Sequence, residues 1–126
     1  MSDLAELLAP PSEADVEQTL AAYAEAVART YGPRLVGLFL FGSRARGDHR
    51  PDSDVDLAVV VTDFEASALA EKMRLVDLGF DALTEHGVMI QPWPFTQAQW
   101  DGSAPGGRFG DLLLAARRDA VPMVTR

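Results

Sequence analysis

Apolar positions set the first element of the chain. Val16, Leu20, Tyr23, Val27 and Tyr31 recur every three or four residues, which places them on one face of a helix. Ser12 stands just ahead of that run with Asp15 three residues on, the pattern of a capping box, and Gly32-Pro33 stops it. Upstream, Leu4, Leu7 and Leu8 predict a short amphipathic turn ended by Pro10-Pro11. The period then changes. Leu35 to Phe41 predicts a first strand, and Asp54 or Val55 to Val61 a second, whose near-continuous apolar run marks a central strand covered on both faces. From Glu65 to His86 the helical period returns, with Leu69, Met73, Val76, Phe80 and Leu83 as the inner stripe, widened by Leu75, Leu78 and Ala82, and Gly87 as the stop. Val88 to Ile90, reaching Trp93 at most, predicts a third strand ended by Pro92 and Pro94. Thr96 to Gly107 reads as a mobile polar turn. A last helix spans about Phe109 to Arg118, where Arg117 and Arg118 suit the negative end of the helix dipole. The expected architecture is α/β (α+β), a small mixed β-sheet flanked by helices, in a single domain over residues 1–126.

Composition narrows the class. The chain has 126 residues, 48% apolar and 24% charged, ordinary values for one globular domain with a real core. There is no cysteine, so disulfides, thiolate zinc sites and cysteine nucleophiles are excluded. No segment reaches the ~20 apolar residues of a membrane helix and the N-terminus has no basic start, so a cytoplasmic protein with no membrane partner is expected. Eleven basic against nineteen acidic residues give a net charge of −8, which argues against a surface for long nucleic acid. A nucleotide needs only a local positive site, and Arg44, Arg46 and Arg50 cluster beside a Gly-Ser turn. Each could contact phosphate or merely balance Asp48, Asp52, Asp54 and Asp56.

Chemistry concentrates in two segments. Leu38-Phe39-Leu40-Phe41-Gly42-Ser43-Arg44-Ala45-Arg46-Gly47 reads as a strand and a turn, and Ser53-Asp54-Val55-Asp56-Leu57 opens the second strand with two acids. Side chains alternate along a strand, so Asp54 and Asp56 are expected on one face with alpha carbons about 6.6 Å apart. Such a pair can hold a divalent metal ion. A glycine followed by a serine lets backbone N–H groups and a hydroxyl approach an anion closely. The bland readings are loop-end acids facing water and an ordinary strand-ending turn. Paired acids at the start of an apolar strand repel each other, and that reading names no partner to compensate them.

Gly42-Ser43, ten residues, then Asp54-Val55-Asp56 resembles the signature of the DNA-polymerase-β-like nucleotidyltransferase superfamily. The nearer resemblance is to its minimal nucleotidyltransferases, which also show the flanking apolar strands, Ala45-Arg46-Gly47 and Ser53. The resemblance implies the nucleotidyltransferase fold and a magnesium-bound nucleoside triphosphate, ATP being the first candidate. Asp54 and Asp56 would be the catalytic and metal-binding residues for one or two Mg²⁺ ions, and Gly42, Ser43, Arg44 and Arg46 the nucleotide-binding ones. It also implies a partner, a HEPN-type helical protein neutralised by adenylylation or by binding, as in a toxin–antitoxin pair.

One part of the superfamily pattern is missing. A third carboxylate usually stands on the next strand, which here reads Val88-Met89-Ile90-Gln91-Pro92-Trp93. Gln91 can neither take a proton nor supply charge, so a silent nucleotide-binding antitoxin of the same fold is the alternative function. Asp77, Asp81 and Glu85 recur every four residues and read as a solvated helix face. His49 and His86 form no metal pair. Trp93 and Trp100 read as packing before base stacking. Leu4, Leu7 and Leu8, the Leu75/Leu78 stripe and Leu112-Leu113-Leu114 offer more apolar surface than one thin sheet needs, so an oligomer with the same chain or a partner is expected.

Overall fold

A computed structural model describes residues 9–125. Its first helix, α1 (Glu13–Tyr31), starts on the expected capping box: the Asp15 N–H donates to Ser12 Oγ at 3.1 Å and the Ser12 N–H to the Asp15 carboxylate at 3.4 Å. The turn expected at Leu4 to Leu8 lies outside the described residues. A 3₁₀ turn, Gly32–Arg34, leads into β1 (Leu35–Phe41). A four-residue helical turn, α2 (Ser43–Arg46), and a loop follow, then β2 (Val55–Val61). Next come α3 (Ala68–Leu78), α4 (Phe80–His86) and β3 (Ile90–Thr96). The chain ends with α5 (Gln97–Asp101), a 3₁₀ turn at Gly107–Phe109, α6 (Gly110–Asp119) and β4 (Val121–Thr125).

The four strands lie in the order β3-β2-β1-β4. β1 runs antiparallel to β2 and to β4, while β2 and β3 are parallel, so the expected mixed sheet is present. Alternation along β2 divides the interior. Val55, Leu57, Val59 and Val61 pack with Leu35, Leu38, Val27, Tyr31 and Leu75 beneath α1, α3 and α4. Ala58 faces the opposite way and packs with Phe41, Phe95, Leu113 and Ala116, flanked by Phe39, Trp93, Trp100 and Phe109. Trp100 stacks on Phe39 at 4.8 Å and Trp93 meets Phe109 edge to face at 5.5 Å. Both tryptophans therefore pack as expected.

Several elements differ from the sequence expectation. β3 continues through both prolines because it lies at the edge of the sheet. Prolines two residues apart turn their N–H-less nitrogens to the same side, and here that side has no neighbouring strand. The segment expected as a mobile turn holds α5, capped by Thr96 and Gln99 in a second capping box. β4 was not anticipated at all.

The largest correction concerns residues 65–86. They form two helices instead of one, and the buried face is Glu71, Leu75, Leu78 and Ala82. Leu69, Met73, Val76, Phe80 and Leu83, expected inside, are all exposed. The break has a visible cause. In an unbroken helix the Gly79 N–H would bond the Leu75 carbonyl, but that oxygen accepts the Tyr23 hydroxyl at 2.8 Å, and Gly79 bonds Val76 O at 3.0 Å. A side chain inserted into the ladder kinks the helix there. Leu75, Leu112 and Leu113, counted earlier toward an interface, pack inward; Leu114 is exposed.

Candidate functional site

β1 delivers Phe41 opposite Asp56, and the chain then turns sharply at Gly42. Gly42 has φ 76°, and a Cβ there would stand 2.5 Å from Asp56 Oδ2. Glycine is required at this point both for the left-handed backbone and for the space the carboxylate occupies. The turn and the acid are thus built against each other. Asp54, one residue before β2, is exposed, whereas Asp56 is half-buried. Burial pushes the Asp56 carboxyl above the usual carboxylate range. The Trp93 indole N–H, buried without a hydrogen bond of full geometry, pulls it back; Asp54 pushes it up again, and Lys72 and Arg46 pull it down. Asp54 therefore lies near enough for its charge to act on Asp56.

The loop between Gly47 and Asp54 is pinned. Arg44 donates from Nε to Ser53 O and from Nη2 to Pro51 O, both at 3.1 Å, and its Nη1 lies 3.6 Å from Glu13. Its side chain is 5% exposed, so this arginine is committed to holding the loop against α1. His49 joins the same anchor, with Nε2 3.0 Å from Glu13. That contact, more than Arg44, draws the Glu13 carboxyl below its ordinary value. Arg50 is exposed, and only its backbone N–H takes part, bonding Ser53 Oγ at 2.8 Å. Arg46 differs. It is half-exposed, bridges Asp48 at 3.2 Å and Asp119 at 2.8 Å, and its charge reaches Asp56.

On the other side of Asp56, the parallel register sets Gln91 beside it. The position at which the superfamily pattern has a third carboxylate is therefore occupied by an uncharged amide on the same face. Among the described residues no cluster of three or more histidine or acidic groups could hold a metal ion. The donor set still fits a hard divalent cation. It has two carboxylates, one of them raised by burial and by its neighbour, and such an ion commonly takes one or two carboxylates and completes its shell with substrate phosphates and water.

Sequence reasoning missed Lys72. From α3 its side chain wraps the open edge of β3, where Nζ donates to Pro92 O at 2.5 Å and stands 3.5 Å from the centre of the Trp93 ring. Burial draws its ammonium down to about 8, with Asp56 opposing the shift. No spacing or motif marks this lysine. Its place depends on the fold bringing α3 against the edge strand.

A mixed sheet carries the Gly-Ser turn packed on Asp56, the second of two acids at the start of β2. The family profile for the nucleotidyltransferase domain matches residues 20–100, and the chain belongs to that family. A relative from Methanocaldococcus jannaschii, named "Putative protein adenylyltransferase MJ0141", is 34% identical over 59 residues, a match spanning 47% of this chain and 58% of that protein. Less than two thirds of that relative is therefore covered. Among solved structures, a putative nucleotidyltransferase from Sulfolobus solfataricus superposes with a TM-score of 0.57 at 20% identity, covering 91% of this chain and 90% of that one. A toxin–antitoxin structure with AMP-PNP gives 0.56 at 18% identity, covering 82% and 72%. A variant of the toxin–antitoxin pair MntA–HpeT gives 0.53 at 17%, covering 82% and 70%. At these identities the likeness is one of fold. No helix among the described residues is long and apolar enough to cross a membrane.

Proposed function

We propose that the protein binds ATP with Mg²⁺ between the Gly42-Ser43 turn and the Asp54/Asp56 pair, and transfers AMP to a hydroxyl of a partner protein, as the antitoxin of a HEPN-type pair. The observation that carries the reading is the contact of Asp56 with the space above Gly42. It sets the carboxylate directly against the turn that, in this reading, accepts the phosphates. The names of the relatives, a protein adenylyltransferase and toxin–antitoxin components, support the choice of nucleotide and partner.

In this reading Asp54 and Asp56 hold Mg²⁺, and Gly42, Ser43 and Arg46 face the β- and γ-phosphates. Arg44 acts through the loop it fixes. The bound cation would neutralise phosphate oxygens and favour the departure of pyrophosphate. The acceptor hydroxyl loses its proton as its oxygen bonds the α-phosphorus, and the bond from that phosphorus to pyrophosphate breaks. Gln91 cannot take that proton. Transfer is therefore slow, or depends on a group the partner supplies, and the register of Gln91 beside Asp56 also favours the second reading, a silent nucleotide-binding antitoxin.

Calorimetry with Mg-ATP tests the site: Asp54→Asn with Asp56→Asn should abolish the magnesium-dependent part of binding in a folded protein, and unchanged affinity would remove the site. Intact mass of the protein encoded beside this one, after incubation with ATP and Mg²⁺, separates the two readings. A gain of one AMP establishes transfer, and nucleotide binding without any gain establishes the silent form.

A further inference from the structure

The loss of the third carboxylate and the position of Lys72 belong together. Gln91 sits in register with Asp56. One residue further along β3, the Pro92 carbonyl holds Lys72 Nζ at 2.5 Å, and the following residue, Trp93, presents its ring 3.5 Å below the same nitrogen. Trp93 in turn places its buried, unpartnered Nε1 within reach of the Asp56 charge. The edge of β3 therefore holds a fixed ammonium one to two residues beyond Gln91, the position at which the superfamily pattern has an anion. Its fixation comes from a carbonyl acceptor and an aromatic face, both of which favour the charged form.

We propose that Lys72 is a substrate-contacting residue that takes the place of the second metal ion, so that this site works with a single divalent cation. The inference rests on the reading of Gly42-Ser43 and Asp54/Asp56 as a Mg-nucleotide site. Three carboxylates are suited to two divalent ions, and removing one leaves a second ion short of an anionic ligand. Two carboxylates, one ammonium and one divalent ion carry the same net charge as three carboxylates and two such ions. The exchange of acid for amide and the resident ammonium thus compensate each other. The lysine supplies positive charge on the β3 side of Asp56, near enough for the two charges to act on each other. Although burial draws its ammonium down to about 8, Lys72 remains mostly charged at neutral pH.

Metal stoichiometry decides the question without reference to turnover. The full chain is saturated with α,β-methylene-ATP, which cannot release pyrophosphate, and titrated with Mn²⁺ while free Mn²⁺ is followed by electron paramagnetic resonance. Wild type should bind one Mn²⁺ per chain, and Lys72→Met combined with Gln91→Asp should bind two. Two ions in the wild type, or one in the folded double variant, overturns the proposal. Lys72→Met alone should weaken binding of the analogue with Mn²⁺ by roughly tenfold or more, as expected for losing a charged hydrogen-bond donor, and Lys72→Arg should restore most of it. Unchanged affinity in Lys72→Met likewise overturns it. If the wild type binds neither analogue nor Mn²⁺, the nucleotide reading itself has failed; binding of both with the wrong count rejects only the role of Lys72. Urea unfolding of each variant confirms that it is folded.

Discussion

Helices α3 and α4 carry two apolar stripes of the same spacing on opposite sides. The inner one, Glu71, Leu75, Leu78 and Ala82, faces the sheet and α1; the outer one, Leu69, Met73, Val76, Phe80 and Leu83, faces solvent. By hydrophobicity alone the outer stripe should win. It contains five large apolar side chains, against an inner stripe that includes a glutamate. The inner stripe prevails because its glutamate is fully partnered. Glu71, 2% exposed, accepts the Tyr31 hydroxyl at 2.6 Å and the Glu65 N–H at 3.2 Å, and lies 3.8 Å from Arg34. Burial and the adjacent Glu71 raise the Tyr31 hydroxyl far above its ordinary range, so it stays a donor at all working pH. A buried carboxylate supplied with donors is tolerated where an unpartnered one would not be.

The comparison is most easily broken at Leu75. Leu75→Ala should cost about 2–5 kcal/mol in urea unfolding, the range for a fully buried leucine. Met73→Ala, two positions away and exposed, should stay within about 0.5 kcal/mol. Equal losses at the two positions would mean that the outer stripe is also covered in solution. Next in size is Glu71→Gln, expected to cost roughly 1–3 kcal/mol by leaving the Tyr31, Arg34 and Glu65 donors with a weaker acceptor. Combined with Tyr31→Phe, the double variant should lose less than the sum of the two single losses, a coupling of roughly 0.5–3 kcal/mol. Strict additivity would deny that the pair acts as a unit.

A smaller effect sharpens the contrast from the side of the candidate site. Burial raises the Asp56 carboxyl, so the folded state binds its proton more tightly than the unfolded chain does. That contribution to stability is present below the ordinary aspartate range and is lost as pH rises through the raised value. Asp56→Asn should therefore raise the melting temperature at neutral pH by a few degrees, about 1 kcal/mol being worth roughly 3–6 °C in a chain of this size. The gain should vanish in acid. No gain at pH 7 would mean that Trp93, Lys72 and Arg46 already offset the burial. Smallest of all, Val76→Thr and Phe80→Ser should each change stability by less than about 0.5 kcal/mol.

These cases show what could be read from the chain. Ser12 with Asp15 fixed the start of α1 because a capping box is a local device, and the Gly-Ser and Asp-x-Asp positions came together because strand alternation and register carried them. The superfamily resemblance pointed to Gln91, and the parallel register of the folded sheet sets it beside Asp56. Spacing could not choose between two stripes of equal period, since the choice depended on Tyr31 and Arg34, 40 and 37 residues before Glu71. The break at Gly79 depended on the Tyr23 hydroxyl. Thr96 and Gln99 did carry a legible capping signal, hidden by the glycines and the one proline that follow them. β4 is five residues with a proline inside, too short to register by period. Lys72 could be found only by seeing which strand edge it wraps.

The prolines of β3 have a consequence for how the sheet can grow. Strand edges recruit other strands by offering free N–H and C=O groups. On the outer side of β3, Pro92 and Pro94 have no N–H to give, and the Pro92 carbonyl is already taken by Lys72. That margin is chemically closed to a docking strand or a fibril seed. The opposite margin, β4, has one proline, Pro122, and exposed Val121. Any polypeptide that extends this sheet, whether a fused tag, a swapped segment or an aggregating neighbour, is therefore directed to the edge farthest from Gln91 and Lys72.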